Sequence, residues 1–238
     1  SALLALQGGM EGGLAAAELL VGDGNPSGKT VDTFAKSLDD YPSTYNFHES
    51  RNYVDYTDDI YVGYRYFETI PGAAEKVVYP FGYGLSYTTF DVETVSAGVV
   101  NSNCTSEANK LYAKVRVTNT GKFSGKEVVQ VYIAKPQGKL GKPAKELAAF
   151  EKTRELQPGE SQLMILTWEI NDMASYDDLG KIQKSAYVLE AGSYDIYVGT
   201  SVRDVQKADY SYILDDDIIT EQLSAKLVPT SLAKRMLS

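Results

Sequence analysis

From about residue 88 onward, apolar and polar side chains alternate with a period of two. Leu111, Ala113, Val115 and Val117 alternate with Tyr112, Lys114, Arg116 and Thr118. Such a pattern turns one side of an extended segment to a core and the other to water, as in a half-buried antiparallel strand. Val129, Val131 and Ile133 alternate in the same way with Val128, Gln130 and Tyr132, and Leu163, Ile165 and Thr167 with Met164, Leu166 and Trp168. Tyr194, Ile196 and Val198 form a further run, with Asp195 and Tyr197 facing away. Asn119-Thr120-Gly121, Pro158-Gly159 and Gly192 supply turn chemistry between the runs. With Asp91–Ser96, Leu147–Arg154 and Ala208–Leu214, the pattern predicts about seven short strands and a β-sandwich of immunoglobulin or fibronectin type III kind. The absence of a Cys…Trp…Cys pattern disfavours a true immunoglobulin domain.

The first third follows a different grammar. Leu3–Leu6 is a continuous apolar run suited to a buried parallel strand. The loop Gln7–Gly13, rich in glycine, follows it. Leu14–Val21 then shows helical spacing, with Leu14, Ala17 and Val21 on one side, and Gly22–Pro26 ends it. Residues 25–76 read as ordered loop, with Ile60–Phe67 as a strand or an extended packed segment. Their many aromatics argue against disorder. Ile219, Leu223, Leu227 and Leu232 suggest a partly helical tail interrupted by Pro229. The expected fold is therefore mainly β with an α/β portion. A partial α/β sandwich segment spans residues 1–87, a fibronectin type III-like β-sandwich spans 88–218, and a helical tail or linker spans 219–238.

Charge and composition remove several classes. The net charge of −9 comes without a basic stripe, so no nucleic-acid partner is expected. No apolar run reaches the ~20 residues that span a bilayer, so no membrane partner is expected either. A single cysteine, Cys104, excludes an internal disulfide, and a single histidine, His48, excludes a multi-histidine metal site. These facts leave the compartment open, with the cytoplasm slightly ahead of secretion. Ser1 leads straight into the apolar run without a basic stretch, which reads as a start within a fold rather than a signal peptide. The glycine loop matches neither G-x-G-x-x-G nor G-x-x-x-x-G-K-[ST], so it is not a nucleotide cradle, and no cofactor or metal is expected.

The densest motif is Val77-Val78-Tyr79-Pro80-Phe81-Gly82-Tyr83-Gly84-Leu85-Ser86-Tyr87-Thr88-Thr89-Phe90. Gly82 and Gly84 permit close approaches that a Cβ would forbid, and Pro80 biases Tyr79 toward extended geometry. The motif predicts a tightly packed crossing between two structural units. It resembles the "PFGYGLSYT" signature of glycoside hydrolase family 3, the β-glucosidase and β-xylosidase family. Gly9–Gly13 with Ala17–Lys29 resembles that family's "GQEGG…NPSGK" region, with Met10 where Gln is common. Val62–Phe67 resembles its "VGYRYFD", with Glu68 in place of Asp. Val117–Gly121, Gly125–Tyr132, Lys145–Phe150 and Leu156–Glu160 resemble its fibronectin-like domain.

The resemblance implies a retaining glycosidase acting on a β-linked oligosaccharide or glycoside. Such members place an aspartate nucleophile on a TIM-like barrel and a glutamate acid/base on the α/β sandwich domain, with the two carboxyls ~5–5.5 Å apart. Neither motif falls within this chain. The resemblance thus implies a non-catalytic accessory portion of a β-glucosidase-like enzyme, inactive alone. Its partner would be the TIM-like barrel of the same protein, and residues 1–87 should carry a large apolar surface where the rest docks. A tail running past the last strand hints at a permuted domain order, with the barrel last. The alternative is a free-standing carbohydrate-binding or adhesive module with a row of exposed aromatics.

Two residues are candidates for substrate binding. Glu11, in the glycine loop, could face a ligand at a strand end or sit at the start of the following helix, where the dipole favours a carboxylate. Arg65, among tyrosines, could clamp a sugar or stack structurally. No catalytic residue is assigned. Asp58-Asp59, Asp177-Asp178 and Asp215-Asp216-Asp217 read as solvated turns, and His48 as an ordinary loop histidine. Trp168 reads as core or sheet surface, and Asn103-Cys104-Thr105 matches a glycosylation sequon.

Overall fold

The computed structural model describes residues 2–48, 50–100 and 109–226. Cys104, the sequon at 103–105 and the tail from residue 227 lie outside the described residues. Chain order gives a helix α1 (Gly12–Val21), a short strand β1 (Phe34–Ala35), a single helical turn α2 (Tyr64–Phe67) and β2 (Val77–Tyr79). The strands then follow as β3 (Phe90–Val99), β4 (Lys110–Asn119), β5 (Val128–Ala134), β6 (Glu146–Lys152), β7 (Ser161–Glu169), β8 (Ser175–Asp177), β9 (Ala186–Leu189), β10 (Gly192–Gly199), β11 (Val205–Leu214) and β12 (Ile218–Gln222).

Seven of these strands build the sandwich. One sheet has the order β3-β4-β7 and the other β11-β10-β5-β6, with antiparallel pairing throughout. The period-two pattern explains the core between them. Leu111, Ala113, Val115 and Val117 meet Val129, Val131 and Ile133, with Met164, Leu166, Trp168, Tyr194, Ile196 and Val198 completing one cluster. Trp168 is therefore core, and its indole Nε1 has no hydrogen-bond partner. The opposite face of β7 leaves Leu163 and Ile165 exposed.

Strand β5 departs from simple alternation because it is buried on both faces. Its second face, Val128, Gln130 and Tyr132, is covered by the aromatic N-terminal segment. A third sheet, β12-β9-β8, combines two strands from the connection between β7 and β10 with β12, which follows β11. The helical spacing at Ile219 and Leu223 is thus overturned: Ile218–Gln222 is a strand, held by pairing with Ala186–Leu189. Residues 223–226 follow without a regular element, and the tail from residue 227 lies outside the described residues.

The N-terminal expectations change in detail. Leu3–Leu6 forms no strand, and its side chains are exposed. A strand needs a partner for its backbone groups, and none of the described elements pairs with it. Helix α1 does form, and Gly22 closes it in the left-handed conformation at φ 87°. No residue of α1 is buried, however, and Leu14, Ala17 and Val21 face outward; Ala16 and Leu19 are the half-covered positions. Ile60–Phe67 contains a helical turn rather than a strand.

Candidate functional site

The seam between the N-terminal segment and the sandwich is built from single residues upward. Gly82 has φ 80°, and a Cβ there would overlap the Gln130 carboxamide. A Cβ on Gly84 would overlap the Gly28 carbonyl. Position 82 needs glycine for both conformation and space, and position 84 for space. Gln130 donates to the Gly82 carbonyl at 3.3 Å and to the Thr200 carbonyl at 2.7 Å, while Tyr132 Oη donates to Gln130 Oε1 at 2.5 Å. Asn25 adds a second node. It donates to the Ser124 carbonyl at 2.8 Å and accepts from Ser86 Oγ and the Tyr87 amide.

Aromatics seal the space between these nodes. The Tyr64 ring lies 4.7 Å from Phe81 and 6.1 Å from Tyr132, and Tyr64 Oη accepts the Leu147 amide proton at 2.9 Å. Ion pairs rim the seam: Lys29 with Glu127 at 2.8 Å, Arg203 with Glu68 at 2.8 Å, and Glu146 with both Arg65 and Lys135. Burial lowers the Lys135 ammonium pKa, opposed by Glu146.

The carboxylates near the sandwich serve the fold. Glu190 is buried with Lys142 and also accepts the amides of Lys139 and Leu140. Asp177 is fully buried and accepts four amides, from Gly180, Lys181, Ile182 and Gln183. Burial alone would raise its pKa; the four donors outweigh it and hold the carboxyl below the usual range. Reading Asp177 as a solvated turn residue is therefore corrected: it organises the loop between β8 and β9.

Asp58 is corrected too. It is half-buried, and burial raises its carboxyl pKa. It lines a cleft of about 410 Å3 together with Asp32, Thr33, Tyr41, Tyr61 and Tyr66, among others. Thr33 Oγ1 and Tyr61 Oη are buried without a hydrogen-bond partner. The aromatic run Ile60–Phe67 just after Asp58 is the signal in the sequence that marks this group.

The two candidate substrate residues lie in different settings. Glu11 is exposed at the start of α1, and its side chain makes no capping hydrogen bond. Arg65 sits on α2 and pairs with Glu146 at 3.3 Å, in place of the stacking role considered for it. His48 is exposed, edge-on to Phe47. Among the described residues, no three His, Cys, Asp or Glu side chains gather as a metal site, and no helix is long and apolar enough to cross a membrane.

Most of the exposed large hydrophobic residues lie before residue 88, including Leu6, Met10, Leu20, Val31, Tyr45 and Tyr56. That is the apolar surface expected of this segment.

Comparison with known proteins finds two matched regions. Residues 1–87 match the glycosyl hydrolase family 3 C-terminal domain, and residues 127–202 match a fibronectin type III-like domain. Beta-glucosidase A of Butyrivibrio fibrisolvens is 61% identical over 246 aligned residues, covering 100% of this chain and 30% of its own length. A beta-glucosidase structure from Paenibacillus barengoltzii superposes with a TM-score of 0.85 at 48% identity, over 92% of this chain and 24% of that one. The beta-glucosidase of Kluyveromyces marxianus in complex with glucose gives 0.78 at 36% identity, over 90% and 24%. The chain thus spans between a fifth and a third of the length of these relatives. With its seam, sandwich and motifs in the family's order, the chain belongs to glycosyl hydrolase family 3 and carries part of that family's C-terminal domain joined to its fibronectin type III-like domain.

Proposed function

We propose that this chain is a non-catalytic accessory portion of a retaining β-glucosidase that hydrolyses O-glycosyl bonds of β-linked glycosides. The observation that carries this reading is the pairing of a sandwich that closes its own core with an N-terminal segment whose apolar side chains stay in water. A helix with no buried residue gains nothing from its Leu, Val and Ala side chains until another surface covers them. The cover is the remainder of the parent enzyme, including its barrel. The catalytic carboxylates belong to that remainder; the buried carboxylates Glu127, Glu190 and Asp177 are already held by Lys29, Lys142 and four amides.

In this reading residues 1–87 form the enzyme-facing part and 88–218 the supporting sandwich. Glu11, on the exposed loop, is the side chain of this portion placed to reach the substrate side. Arg65 acts through Glu146 to fix the Tyr64 turn against the sandwich, and touches substrate only if that pair opens. The test is reconstitution. Separately produced remainder of the parent enzyme should regain aryl β-glucosidase activity on addition of this chain, with saturable dependence. Failure to associate would overturn the reading. Calorimetric titration with cello- and xylo-oligosaccharides addresses the rival sugar-binding module, which requires saturable heat from the chain alone.

A further inference from the structure

The cleft beside Asp58 has a chemistry of its own. Two carboxylates, Asp32 and Asp58, line it, and no lysine or arginine does. Its walls include the rings of Tyr41, Tyr61 and Tyr66. Two wall residues, Thr33 and Tyr61, each hold a buried hydroxyl oxygen without a partner. Buried polar atoms rarely stay unpaired, because each lost hydrogen bond leaves its full desolvation cost standing. Burial already disfavours the charged form of Asp58, as an uncompensated carboxylate in a cleft should show.

The group that answers all these features is a planar cation rich in donors. A guanidinium has five N–H donors and no acceptor, forks onto carboxylates, and stacks on aromatic faces. An ammonium would satisfy the carboxylates but not the flat walls. A neutral sugar would pack on the rings and donate hydroxyl protons to the carboxylates, but would leave their negative charges without a counter-charge. The two carboxylates call for donors and repel an anion, and each hydroxyl can donate as well as accept, so an anion is excluded by the charge of the carboxylates alone.

We propose that this cleft is a socket for one arginine side chain supplied by the remainder of the parent glycosidase, an inference that rests on the docking reading above. Leu38, Tyr45 and Val62 are exposed apolar residues of the surrounding sequence that would be covered on docking. The arginine would thereby set the register of the two parts, while the apolar surface supplies most of the affinity.

The test separates the socket from the docking. Amide shifts of the isotopically labelled chain are followed on titration with L-arginine amide, with citrulline amide as the uncharged isostere and cellobiose as a sugar probe. The proposal expects saturable shifts at Tyr61–Gly63 with arginine amide only, weakened about ten-fold by Asp58→Asn, the loss of one charge-assisted hydrogen bond. Equal response to citrulline amide, no response, or a response to cellobiose alone would each overturn it. If Asp58→Asn fails to fold, the citrulline comparison still decides. In the full parent enzyme, hydrogen exchange at residues 58–67 should be at least about ten-fold slower than in the isolated chain, rising locally in Asp58→Asn. Unchanged exchange there, in an enzyme that does assemble, overturns the socket and leaves the docking standing.

Discussion

Single residues at the seam and in the loops set the local stability. At Gly82 both the positive φ and the Gln130 carboxamide oppose a side chain. Gly82→Ala should cost about 2–4 kcal/mol, as strain and overpacking act together. A urea denaturation midpoint measures this, and a loss under about 0.5 kcal/mol would contradict the packing described. At Lys142, substitution by Met leaves Glu190 buried with its two amides and no cation. The expected loss is about 3–5 kcal/mol, the range for stranding one half of a buried pair. Asp177 sets a pH dependence. Its folded pKa lies below the unfolded value of ~3.9, so its contribution is complete above that value and is lost as pH falls through the folded one. Asp177→Asn should therefore flatten the acid limb of the stability profile below about pH 4 and lower the plateau above it.

Among the elements, legibility followed the presence of partners within the chain. The seven sandwich strands could be read because each has one face on a core made by the others, and alternation records that directly. Strand β5 could be read as a strand but not as doubly buried, since Gln130 and Tyr132 look like surface residues until Gly82 and Tyr64 cover them. The strand β12 was not legible. Ile219 and Leu223 satisfy helical spacing, and only pairing with β9 forces the extended form. Leu3–Leu6 resembles a buried strand because it is apolar, but a strand is made by hydrogen bonds to neighbours. The seam glycines were legible as constraints, whereas the Asp58 cleft was not, because its walls come from Thr33, Tyr41 and Tyr61, far apart in sequence. These differences should appear in hydrogen exchange. Amides of β4 and β5 should be the slowest in the molecule, and those of α1 should exchange near the rate of open chain. Protection of α1 comparable to β5 in the isolated chain would mean that its apolar face is already covered.

As a whole, the molecule joins a sandwich with its own buried core to an N-terminal segment whose apolar side chains are exposed. The sandwich core and its seam account for a stable body, and the exposed side chains before residue 88 are the surface on which the proposed docking rests. The family models match residues 1–87 and 127–202, and the chain spans about a quarter to a third of its relatives' length. The central claim is that the chain shapes and supports a glycosidase without itself breaking bonds. The most direct measurement is hydrolysis of an aryl β-glucoside by the purified chain, beside the full parent enzyme at equal molarity. The account predicts turnover by the parent and none above the uncatalysed rate by the chain. Sustained turnover by the chain that disappears in Glu11→Gln, or with any other carboxylate of its own removed, would contradict it.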